Sequence, residues 1–103
     1  MSFTGEENHS IPLSEAAALT ANYRANHPGS VLGEYFSKKA ILEILSQQDC
    51  VGIRIYFGED DQHVSHLVIT GVDKDENDLY NGNLAELGIS CPPNCSLPNP
   101  LNS

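Results

Sequence analysis

Three groups of side chains in this sequence have the types and spacing to do chemistry. The first is Cys91-Pro92-Pro93-Asn94-Cys95. Two thiols four residues apart admit three readings, taken in this order. They are small apolar residues anchoring an extended tail, or a disulfide closing a loop that the prolines stiffen. The third reading is part of a zinc site that Cys50 or a histidine would complete, since structural zinc takes four nitrogen or sulfur ligands. The spacing is not the Cys-x-x-Cys of redox motifs.

The second group is Arg54 and His66, with Tyr56 and nearby carboxylates. It has the makings of a small anion or acid–base site. A strand arginine facing a histidine more often serves an ion pair or an interface. The third is Asp73-Lys74-Asp75-Glu76-Asn77-Asp78, which opens like a calcium loop. An EF-hand needs Gly at its sixth position and Glu at its twelfth. Here those positions are Asp78 and Leu84, so a solvated acidic turn is expected. His63 and His66, three apart on a strand, face opposite sides and make a poor metal pair. No nucleophile–base constellation, nucleophile elbow or Gly-rich phosphate loop is present. We therefore expect no enzyme, no catalytic residue and no cofactor.

The bulk properties narrow the partners. The chain has 103 residues and carries 14 acidic against 5 basic side chains, a net charge of −9. That field repels phosphate backbones and anionic lipid, so neither nucleic acid nor a membrane surface is an expected partner, whereas a basic protein is compatible. No apolar run reaches the length of a membrane span. The polar, acidic stretch 1–10 has no secretory pattern, and three cysteines fit reduced thiols better than an extracellular disulfide framework. A cytoplasmic location is expected.

The elements that must position these groups follow from periodicity. Residues 1–10 read as a flexible N-terminus, 11–90 as a single α+β domain, and 91–103 as an extended tail rich in Pro and Asn. A first helix is expected over Ile11–Asn26, with Pro12 in its first turn and Ser10 or Ser14 as cap. His27-Pro28-Gly29-Ser30 ends it, and Val31–Phe36 connects. A second helix over Lys38–Gln48, capped by Ser37, presents Phe36, Ala40, Ile41, Ile44 and Leu45 inward, with Leu42 off that stripe. A strand over Val51–Phe57, a turn at Gly58–Gln62 and a return strand over His63–Val72 make a hairpin. A five-residue loop there sets Ile55 opposite Ser65 and Arg54 opposite His66. Leu84–Leu87 reads as one helical turn closed by Gly88.

The expected fold class is α+β: two helices packed on a β-hairpin, with the sheet completed or covered by a second chain. The helices can shelter one face of the hairpin. The other carries Tyr56, Val64, Val68 and Val72 around Arg54 and His66, and is too apolar to be simply wet. Open strand edges also invite pairing. The binding or interface residues are therefore Arg54, Tyr56, His66 and Val68, and the partner is another copy of the chain, a dimer first.

The run Gly52–Phe57, then Leu67–Asp73, then the Cys-Pro-Pro-Asn-Cys segment resembles a group of small bacterial proteins. Those also carry a helix ending near a Cys-Val-Gly-Ile-Arg segment, here Cys50–Arg54. The resemblance spans Ile11 to Cys95. It implies that hairpin and tail belong to one recurring design, and it implies no activity and no catalytic residue. The function expected first is a non-enzymatic, self-associating binding or assembly protein. A metal-binding or redox-responsive module using Cys91 and Cys95 is the alternative. A small enzyme with an interface site at Arg54 and His66 is a third.

Overall fold

The computed structural model describes residues 2–103. The fold is α+β, with two helices and two small antiparallel sheets among those residues. The chain divides into two compact units: 2–7 with Phe36–Gly88, and Asn8–Tyr35 with Ile89–Ser103.

In the first unit, helix α2 spans Lys38–Leu45. Its start follows the sequence: the Ala40 N–H donates to Ser37 Oγ at 3.1 Å, satisfying one of the orphan amides of the first turn. It stops three residues earlier than expected, since Gln47 turns back to donate from its side chain to the Ile44 carbonyl at 2.8 Å. Strands β2 (Gly52–Glu59) and β3 (Ser65–Val72) form the hairpin. Strand β4, Leu84–Ala85, pairs with β3 through Ile69↔Ala85 and Thr70↔Leu84. The helical turn expected at Leu84–Leu87 is therefore a strand. A four-residue helix gains little from its own hydrogen bonds, whereas pairing with β3 lets Ala85 enter the core.

The hairpin register differs from the expected one. Ile55 faces Ile69, Tyr56 faces Val68, and Arg54 faces Thr70, not His66. The loop has five residues, but it lies at Asp60–Val64, two positions later. The cause is Asp60, whose Oδ1 accepts from the Gln62 N–H at 2.8 Å and the Val64 N–H at 3.0 Å. This side-chain turn outcompetes Gly58, which stays in β2. A Cβ at Gly58 would meet the His66 carbonyl at 3.1 Å, so the glycine serves close strand approach. Because the slip is an even number of residues, every side chain keeps its face.

The core is small. Ile44, Ile69 and Ala85 are buried together, with Phe36, Ile41 and Cys50 packed against them. Leu45, expected inward, is exposed, because α2 lies against the sheet along the Ile41–Ile44 line. Gln47 locks the helix exit. Its Oε1 accepts from the Asn83 N–H at 2.7 Å, and its Nε2 stands 3.0 Å from where a Cβ on Gly71 would sit. Residues 2–7 are held here as well: the Phe3 N–H donates to the Lys74 carbonyl at 2.8 Å.

In the second unit, helix α1 spans Leu13–Asn26. Neither Ser10 nor Ser14 caps it. Pro12 occupies the cap position with extended backbone, its carbonyl accepting from the Glu15 and Ala16 N–H groups at 3.1 Å each. No α1 residue is fully buried, and Ala16, Ala17 and Thr20 are half-buried. The expected connector contains a strand, β1 (Gly33–Tyr35), paired antiparallel with β5 (Ile89–Cys91). The tail is folded into turns instead of extended. Asn99 Oδ1 accepts from the Leu101 N–H at 2.8 Å, and Arg24 Nη1 donates to the Leu101 carbonyl at 2.8 Å.

With so few residues fully enclosed, Ile44, 1% exposed, carries a large share of the first unit's stability. Ile44→Ala is expected to cost about 2–5 kcal/mol, whereas Leu45→Ala should cost under about 1 kcal/mol. Chemical denaturation followed by circular dichroism would measure both.

Candidate functional site

Alternation along β2 and β3 sorts the candidate residues onto two faces. Arg54, Tyr56, Val68 and His66 share one, with Thr70 and Val72. On that face Arg54 and Tyr56 both reach Asp78, whose backbone bridges to Val72: Arg54 Nη1 donates to Asp78 Oδ1, and the Tyr56 hydroxyl to Oδ2. Arg54 also donates to the Glu76 carbonyl at 3.3 Å. The segment after β3 is thereby drawn across the strand, and Thr70 and Val72 are buried.

The electrostatics follow from these contacts. The Tyr56 hydroxyl, then the Arg54 guanidinium, hold the Asp78 carboxyl below its ordinary range. The same carboxylate raises the Tyr56 phenol and the Arg54 guanidinium. Asp60 is lowered first by the Val64 amide and then by His66.

His66 does not join Arg54. Its Nε2 lies 3.0 Å from Asp60 Oδ2 at the hairpin tip. Arg54 and His66 face residues four apart on the neighbouring strand, roughly 13 Å along the sheet. The acid–base site expected from their pairing is not assembled, because the Asp60 turn sets a different register. The acidic turn is a turn: Asp73 Oδ1 accepts from the Asp75 and Asn77 N–H groups at 2.9 and 3.0 Å. Sequence reasoning missed Asp78 as a partner. The signal was there, since a strand arginine flanked by apolar residues needs an anion.

The opposite face carries Ile53, Ile55 and Phe57 beside Gly71, Ile69 and Leu67. It was expected to be sheltered by helices. The buried contact of α2 falls on Ile69 and Ala85, and β2 is left largely uncovered. Ile55 is 45% exposed and Phe57 92%. Strand β2 also ends the sheet: in the order β2-β3-β4 its outer edge has no strand partner among the described residues.

The sulfurs of Cys91 and Cys95 are joined, with Cα atoms 4.7 Å apart, and Cys50 is a free thiol. Cys95 is exposed, so it is not the buried pin of the tail-anchor reading. Closing so short a loop restrains the unfolded chain by about 2 kcal/mol on the chain-entropy model, against about 4.7 kcal/mol for a 100-residue loop. Among the described residues, no group of three or more His, Cys, Asp or Glu side chains is placed to hold a metal ion. No helix among them is long and apolar enough to cross a membrane.

No family model, curated protein or solved structure matches this chain. The resemblance noted from the hairpin and tail motifs thus brings no activity or residue role with it, and function has to be argued from the surfaces themselves.

The Asp78 contacts predict a pH signature. A carboxyl held below its unfolded value stabilises the fold above that value and loses its contribution as pH falls toward the lowered one. Asp78→Asn should therefore lower stability by a constant amount above about pH 5. The gap to wild type should narrow as pH drops through the ordinary value of 3.8. Urea midpoints measured across that range would check it; a gap that widens in acid contradicts the assignment.

Proposed function

We propose that this chain is a non-enzymatic assembly protein that works as a homodimer joined through β2. The observation that carries the proposal is Phe57, 92% exposed on an eight-residue edge strand. Exposed edge strands are ordinarily blunted by lysine, proline or a bulge. Strand β2 contains no Lys and no Pro. Its uncovered face offers Ile53, Ile55 and Phe57 in a row.

A second copy suits this edge better than other occupants. Two β2 strands related by a two-fold axis pair antiparallel, so that each presents the same three apolar side chains to the other. The only charges within β2 are Arg54, engaged by Asp78, and Glu59 at its end. In the antiparallel arrangement the two acidic tips, each beginning at Asp60, lie at opposite ends. They are roughly 30 Å apart at 3.3 Å per residue, well beyond a Debye length of about 8 Å. The net charge of −9 therefore opposes association weakly at this particular contact. The reading carries a cytoplasmic location with it. A basic peptide added to the same edge is the competing occupant.

Sedimentation velocity at micromolar concentration separates these. Twice the 11.2 kDa of one chain is expected. Phe57→Glu should return the monomer without unfolding it. Losing two buried rings at about 1.5–3 kcal/mol each weakens the dimer at least ~100-fold. A wild-type protein that sediments as a single chain overturns the proposal.

A further inference from the structure

The Cys91–Cys95 pair belongs to the second unit and has an asymmetry of its own. Cys91 is the last residue of β5 and pairs with Gly33. Its carbonyl accepts from the Leu32 N–H at 2.7 Å, and its side chain is half-buried. Cys95 is exposed, as are Pro92, Pro93 and Asn94 between the two. The chain beyond is held independently. Asn102 Nδ2 donates to the Ser96 and Leu97 carbonyls at 3.2 and 3.3 Å, and Arg24 holds the Leu101 carbonyl. The bond joins no distant elements, closes only a short loop, and tethers a tail that other contacts already hold. Exposed disulfides of that kind are the labile ones, and where a disulfide occurs in a reducing compartment it is usually transient and catalytic or redox-sensing.

We infer that Cys91–Cys95 is a thiol–disulfide exchange site whose reaction partner is a dithiol, with Cys95 as the attacked sulfur and Cys91 as the fixed resolving thiol. A thiolate of the dithiol attacks Cys95 Sγ. The Cys91–Cys95 bond breaks, and Cys91 Sγ leaves with the electron pair and takes up a proton. The partner's second thiol, as its thiolate, then attacks the partner's own sulfur in the mixed disulfide. Cys95 is released as a thiolate and protonated. In total, two electrons and two protons pass to the cysteine pair, and the dithiol becomes a disulfide. Oxidation is the reverse.

One monothiol cannot complete this sequence alone, and a second molecule must reach the mixed disulfide before Cys91 does. Cys91, held by β1 within closing distance of Cys95, re-attacks the mixed disulfide and expels the monothiol. The selectivity for dithiols follows from the strand that carries Cys91. No charged side chain occurs from Ile89 to Ser103, so the acidic surface places no carboxylate within the loop itself.

The test uses the full chain under native conditions, with dithiothreitol and glutathione at equal thiol concentration. Opening is read by mass after alkylation, with Cys50 as the thiol that is free throughout. Dithiothreitol is expected to open the pair at least tenfold more than glutathione, with the far-ultraviolet circular dichroism unchanged. Oxidised glutathione should modify Cys95 in Cys91→Ser at least tenfold faster than Cys91 in Cys95→Ser. A pair that stays closed until denaturant is added overturns the inference, as does opening that unfolds the chain. Equal or reversed rates at the two cysteines overturn it as well. The dimer is not involved in any of these readouts, so a monomeric protein would leave the result standing.

Discussion

Strand β3 must be covered on both faces, and the first unit is arranged to do it. From Ile69 to Val72 every residue of that strand is buried. One face meets Ile44 and Ala85. Within the first unit the other face is covered by an ion pair. Arg54 on β2 reaches over to Asp78, which is bridged to Val72 on the far side. The aliphatic stem of the arginine is the kind of amphipathic cover that seals an apolar strip while its head stays polar.

Such economy leaves β2 half dressed. A chain of 103 residues has a limited interior to distribute, and here it is concentrated on the central strand. The edge strand that supplies Arg54 and Tyr56 to one side shows Ile53, Ile55 and Phe57 on the other. The asymmetry separates two roles that one strand often combines. The polar side is committed inward, to holding the segment after β3, and the apolar side is available to a partner.

Much of this was legible in the residues. The α2 cap at Ser37, the alternation of β2 and β3, and the α+β class follow from local rules that no distant contact overrides. The register was not legible, since Gly58 and Asp60 both carry turn signals and only the hydrogen-bond geometry of the Asp60 carboxylate decides between them. The two-residue strand β4 was equally opaque. Its pattern is too short to show a period, and its conformation is imposed by the edge of β3. Arg54, Tyr56, His66 and Val68 share one face, as alternation implies, but the pairing of Arg54 with His66 does not form. Arg54 signalled the need for an anion, but Asp78 belongs to a loop, and nothing local marked it among the neighbouring carboxylates as the one that returns.

Gln47 is wedged where no larger neighbour would fit. A methyl group on Gly82 would collide with its Oε1, and one on Gly71 would crowd both its Nε2 and the sulfur of Cys50. Three positions far apart in the chain thus share one small volume. In a lineage of such proteins they would be expected to drift in a set order: shortening the glutamine would free Gly82 first, while Gly71 would stay fixed for as long as the sulfur of Cys50 lies beside it.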